Sequence, residues 1–123
     1  MDIKIINDIV SLVLERTIGR ENLCETQRET LSIEKMEITD NNKYISFYVD
    51  GETRNTCSLG FSPLSVMFWE LTQNIPIECI LFYKDGCIYS LEAYSCDGSP
   101  FETIYPDNID IRTSEPSSEV ARS

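Results

Sequence analysis

Carboxylates are the only abundant chemically active side chains in this sequence. Its 123 residues include 21 Asp and Glu against 10 Lys and Arg, and no histidine. Without His, the commonest general base and metal ligand are gone, as is every Cys-His or Ser-His-Asp nucleophile arrangement. Neither G-x-x-x-x-G-K-[ST] nor G-x-G-x-x-G occurs, and three of the five glycines (Gly51, Gly86, Gly98) follow Asp in turn-like contexts. No cofactor is therefore expected. The Asp-Gly sites also lack the D-x-[DN]-x-[DN]-G spacing and closing Glu of a calcium loop. The five cysteines (Cys24, Cys57, Cys79, Cys87, Cys96) are odd in number and form no C-x-x-C pair, so no zinc or redox motif is read. Cys79 and Cys87 sit in apolar runs, where a reduced thiol acts as a small hydrophobe. What remains for catalysis is a carboxylate pair, Glu92 with Asp85 or Asp97 across a hairpin, of the kind that hydrolyses glycosides. In a chain this acidic such pairs arise by accident, and acids ordinarily occupy solvated faces. The expectation is a protein that is not an enzyme.

Binding has more material. The formal net charge is −11, a field that repels nucleic acid and anionic membranes and attracts basic surfaces. From Asp85 to Asp110 there are six acids (Asp85, Glu92, Asp97, Glu102, Asp107, Asp110) and no Lys or Arg. Tyr94, Phe101 and Tyr105 are interleaved with them. Aromatic side chains supply desolvated anchoring, while surrounding carboxylates steer a basic partner into register. Asp85, Glu92, Tyr94, Asp97, Glu102, Tyr105 and Asp107 are accordingly the candidate partner-binding residues. The competing interpretation is structural: acidity serves solubility, and any one aromatic can equally close the edge of the core.

The elements that must position these residues read as α+β: an N-terminal helix and one further helix packed on an antiparallel sheet of about five strands. In residues 2–17, polar Lys4, Asp8, Ser11 and Glu15 recur on one face, and Ile6, Ile9, Val10, Val13 and Leu14 fill the other. Gly19 is a C-terminal stop signal. Residues 20–30 fit either a short helix or a loop. From Leu31 the period becomes that of strands, with one slip in residues 31–39 that suggests a bulge. A turn at residues 40–43, a strand over 44–49, an Asp50-Gly51 turn and a shorter strand over 53–59 suggest a meander. Ser62-Pro63 resembles a helix start, with Leu64, Met67, Phe68 and Leu71 at helical spacing, so the second helix is placed there. A hairpin follows: residues 77–83, a Lys84-Asp85-Gly86 turn, and residues 87–95, with Tyr89, Leu91 and Ala93 on one face and Ser90, Glu92 and Tyr94 on the other. One domain spans 1–111. Residues 112–123 read as a disordered tail whose Arg112 and Arg122 balance Glu115 and Glu119, so the net charge belongs to the domain.

The stretch Tyr83-Lys84-Asp85-Gly86-Cys87-Ile88-Tyr89-Ser90-Leu91-Glu92-Ala93-Tyr94-Ser95-Cys96-Asp97-Gly98-Ser99-Pro100 resembles a DG-x-[IL]-x-x-LE-x-YS-x-DG-x-P hairpin of small bacterial proteins, several of them immunity partners of toxins. The short, acidic character is also similar to contact-dependent growth inhibition immunity proteins. The resemblance implies a 1:1 complex with the C-terminal toxic domain of a secreted effector, a basic nuclease for example, whose active site or a nearby surface is blocked. The alternative is a regulatory or housekeeping interaction domain without a toxin partner. No secretory signal and no run near the ~18 apolar residues of a membrane span is visible, and the scattered thiols suit a reducing compartment, so a cytoplasmic location is expected.

Overall fold

The computed structural model describes residues 3–18, 25–48, 63–84 and 87–110. Two helices, α1 (Ile3–Ile18) and α2 (Glu25–Glu29), accompany six strands: β1 (Ser32–Ile38), β2 (Asn42–Tyr48), β3 (Leu64–Glu70), β4 (Ile75–Lys84), β5 (Cys87–Ser95) and β6 (Ile109–Asp110). The strands form one sheet in the order β1-β2-β5-β4-β3-β6, antiparallel throughout. The chain is α+β, as its patterning predicts. The Asp50-Gly51 turn, the strand expected over 53–59, the Gly19 stop and the 112–123 tail fall outside the described residues.

α1 forms because its apolar residues recur at helical spacing and its polar residues keep to the other side. Ile6, Ile9, Val10, Val13 and Leu14 are all fully buried, and the helix packs on β3 and β4. Each such side chain contributes about 1.5–3 kcal/mol by leaving water. The exposed Lys4–Asp8 pair at 3.4 Å adds little by comparison. Beneath the helix, the sheet's inner face supplies Ile45, Phe68, Ile77, Cys79, Leu81, Leu91 and Ala93, every one buried.

The second helix is not where the spacing of Leu64, Met67, Phe68 and Leu71 places it. Residues 64–70 form β3, and Leu64, Val66, Phe68 and Glu70 are buried at every second position. That sequence satisfies both periods. Pairing with β4 decides it, because a strand gives each backbone group a ladder partner and suits β-branched and aromatic side chains. Leu71-Thr72-Gln73-Asn74 then closes the hairpin, with Asn74 at φ 59°, a conformation Asn tolerates at low cost. The further helix is α2, in the segment that fits either helix or loop.

Two bulges shape the sheet. In β1 the register shifts between Ile33 and Lys35, leaving Glu34 as the extra residue; this is the slip visible in residues 31–39. In the β4–β5 pair, Phe82 faces Ser90 and Tyr83 faces Ile88, so Tyr89 is extra. The bulge reverses the phase of β5. Ile88 joins Leu91 and Ala93 in the core, whereas Tyr89 is 44% exposed. Strict alternation had grouped Tyr89 with Leu91 and Ala93, and the inserted residue is why that grouping fails. Gln27 of α2, itself fully buried, accepts the Ile88 N–H at the bulge through Oε1 at 2.9 Å. β1 ends the sheet on one side and exposes Glu34, Lys35 and Glu37 along its length.

The open end of the core is closed by the chain after β5. Phe101 and Ile104 are buried there, and Phe101 N donates to Asp40 O at 2.8 Å. Gln73 Nε2 donates to Thr103 O at 2.7 Å. The buried Glu70 carboxylate accepts from Gln73 N (2.9 Å), Gln73 Nε2 (3.2 Å) and Tyr105 N (3.3 Å). Glu70 is thus a structural acid that joins the β3–β4 turn to this strap. Replacing Glu70 with Ala leaves Gln73 N and Tyr105 N without this acceptor and is expected to lower stability by about 2–3 kcal/mol. Glu102→Ala, at an exposed position, is expected to stay within about 0.5 kcal/mol of wild type. Denaturant midpoints of the two variants measure the contrast.

Candidate functional site

The pleat that buries one side of β4 and β5 turns the intervening residues outward. β5 presents Glu92 and Tyr94 on the outer face, β4 presents Glu78, Ile80 and Phe82, and β2 presents Asn42 and Tyr44, all half-buried. The register fixes two rows across the sheet: Tyr44, Glu92, Ile80 and then Asn42, Tyr94, Glu78. Glu92 and Glu78 therefore lie diagonally on neighbouring strands, with Tyr94 and Ile80 at the crossing corners and Tyr44 on the far side of Glu92. Met67 of β3 follows Glu78 in its row.

Hydrogen bonds hold this checkerboard. Asn42 Nδ2 donates to Glu92 Oε2 at 2.8 Å, and the Tyr94 hydroxyl donates to Glu78 Oε1. No Lys or Arg among the described residues forms an ion pair with either carboxylate; the described pairs are Lys4–Asp8, Arg16–Glu15 and Lys35–Glu37. Ser90, on the same face of β5, is 1% exposed and its hydroxyl has no hydrogen-bond partner. The bond to Glu78, then burial and the surrounding negative groups, push the Tyr94 phenol up to about 12.

The candidate residues divide between two places. Glu92 and Tyr94 stand together on the outer face. Asp97, Glu102, Tyr105 and Asp107 follow the strap at the end of the sheet, all exposed. Asp97 lies in the turn expected at Asp97-Gly98, where Gly98 takes φ 82°. Its carboxylate accepts from Ser99 N at 2.9 Å, and that bond holds its pKa below the usual value. Asp85 and the turn around it lie outside the described residues. The candidate acids from Glu92 to Asp107 thus divide between a sheet face and the strap, although they are close in sequence. Glu78 and Tyr44 were not among the candidates. A lone acid in the outward slot of Ile77-Glu78-Cys79 was the available signal for Glu78, but only the pairing of β2 with β5 brings Tyr44 beside Glu92.

A groove of about 650 Å³ lies between the β1–β2 turn and the strap, lined by residues including Ile38, Asp40, Lys43, Gln73 and Phe101. Lys43 is 3% exposed. Its ammonium donates to Thr39 O and to Asp40 O (3.2 Å) and lies 4.5 Å from the centre of the Phe101 ring. Burial lowers its pKa, opposed by Asp40 and Glu102. This lysine clamps the turn to the strap through two carbonyls and a ring. Cys79 and Cys87 are buried in the core and Cys96 is exposed; burial raises the thiol pKa of Cys79, and partial desolvation with the nearby Glu78 and Asp97 charges raises that of Cys96, which disfavours both thiolates. Among the described residues no group of three or more His, Cys, Asp or Glu could hold a metal ion, and no helix is long and apolar enough to cross a membrane.

In comparisons with known proteins, the chain matches no protein-family model, no curated protein and no solved structure.

Because Tyr94 holds its proton more tightly folded than at its ordinary value of 10.0, its contribution to stability is complete below that pH. It is lost as pH rises from there through about 12. The stability difference between wild type and Tyr94→Phe should therefore shrink across this window. Urea unfolding of both proteins at stepped alkaline pH measures it, and a constant difference would contradict the Tyr94–Glu78 bond.

Proposed function

We propose that this chain is an immunity protein that binds a cognate bacterial toxin domain in a 1:1 complex and neutralises it, the toxin being basic and a nuclease for example. The observation that carries this reading is the outer sheet face. There, half-buried aromatic side chains alternate with carboxylates that no cation among the described residues pairs with, in a chain of net charge −11. Partly desolvated, unpaired carboxylates gain more from an incoming cation than fully solvated ones do, and neighbouring aromatics give that contact an apolar anchor. The hairpin that resembles immunity proteins runs from Tyr83 to Pro100 and contributes Glu92 and Tyr94 to this face. In such a complex the protein would act in the cytoplasm and by occlusion, contributing surface and charge and no reacting group.

The decisive experiment is co-expression with a toxin-domain reading frame encoded next to this one. Restored growth and co-purification at 1:1 are expected, with association slowing as salt rises. Glu78→Lys with Glu92→Lys should weaken the complex by about tenfold or more, since reversed charges meet a basic surface. Absence of a toxin frame, or growth arrest that this chain leaves unrelieved, would favour a regulatory or housekeeping interaction domain.

A further inference from the structure

The checkerboard has a finer chemical preference than for positive charge in general. Glu92 uses Oε2 to accept from Asn42, and Glu78 uses Oε1 to accept from Tyr94. The other oxygen of each carboxylate has no hydrogen bond within the described chain. The two groups lie diagonally on adjacent strands, where Cβ atoms are about 7–8 Å apart. A compact ammonium pairs with one such carboxylate at a time. A planar guanidinium carries donors on two sides and can engage both. Tyr94 adjoins both carboxylates, facing Glu78 across β5–β4 and following Glu92 by two residues on β5, so its ring lies where a bridging guanidinium can stack; Tyr44 flanks Glu92 on the other side, across β2–β5. The Ser90 hydroxyl, on the same face of β5 in the next row beyond Glu92, is buried without a hydrogen-bond partner.

We propose that the outer face of β2, β5 and β4 is an arginine-reading site, in which a guanidinium from a protein partner bridges Glu78 and Glu92 beside the Tyr94 ring. This rests on reading the chain as a binder of a basic protein, and it names the side chain that the binder recognises. Charge argues against the other occupants. A second copy would bring another −11, and nucleic acid or an anionic membrane is repelled by the same field.

The test titrates ¹⁵N-labelled full-length protein with hexa-arginine and, separately, hexa-lysine peptides at about 0.15 M ionic strength, where loose surface attraction is screened. Hexa-arginine is expected to shift amides of β2, β4 and β5 around Tyr44, Glu78, Glu92 and Tyr94, and to bind several-fold more tightly than hexa-lysine. Glu78→Gln with Glu92→Gln should cost about tenfold in hexa-arginine affinity. Both amide oxygens can still accept from Tyr94 and Asn42, so an otherwise unchanged spectrum reports an intact fold. Glu102→Gln with Asp107→Asn removes the same charge from the strap and should leave affinity within about twofold. Equal binding of the two peptides, shifts centred on the strap, or wild-type affinity in the Glu78/Glu92 variant would each overturn the proposal. Growth rescue reports separately: its failure in the wild type removes the toxin reading while the peptide result stands. Full rescue and wild-type toxin affinity in the Glu78/Glu92 variant would overturn this face as the site and leave neutralisation intact.

Discussion

The two-residue period of the β4–β5 pair is the constraint from which the rest follows. Ile75, Ile77, Cys79 and Leu81 on β4, with Leu91 and Ala93 on β5, are buried on the inner side of the sheet. α1 lies on this side, against β3 and β4. Once those residues face inward, Glu78, Ile80, Glu92 and Tyr94 have no choice but to face out. A one-residue slip would exchange the two sets, burying two carboxylates and exposing an apolar row. The same burial that stabilises the fold therefore holds the outward face in one register, and the geometry of Glu78, Glu92 and their tyrosines inherits the rigidity of the core.

The features legible in the sequence are those written in local periodicity. The α1 stripe, the slip in β1, the long β4–β5 hairpin and the Asp97-Gly98 turn all depend on residues close along the chain. β3 was misplaced because Leu64, Met67, Phe68 and Leu71 lie at helical spacing while Leu64, Val66 and Phe68 alternate, and the choice between them is made by pairing with β4. Alternation places Tyr89 on the inner face, whereas one extra residue in β5 inverts the phase, and nothing in the local pattern announces it. The candidate site was half legible. Glu92 and Tyr94 stand out from the hairpin itself, but Tyr44 reaches them through the pairing of two strands about fifty residues apart, which no local pattern encodes.

Several buried polar groups, conspicuous as potential chemistry, are structural fasteners. Glu70 gathers three N–H groups at one end of the sheet, Lys43 ties two carbonyls and a ring at the β1–β2 turn, and Gln27 accepts the Ile88 N–H at the β5 bulge. Each lies where regular pairing stops and a backbone or turn group needs a partner that the ladder does not provide. The acids of the outer face differ in leaving an oxygen uncommitted, which sets them apart from these fasteners without appeal to sequence position.

The bulge at Glu34 also bears on how copies of this chain can meet one another. A long flat edge invites another strand to zip onto it, and chains that do so polymerise. Here the extra residue twists the edge, and Glu34, Lys35 and Glu37 stand exposed along it. An incoming strand would meet a broken ladder and a line of hydrated charges. The rim thus discourages edge-to-edge pairing between copies, even at high concentration.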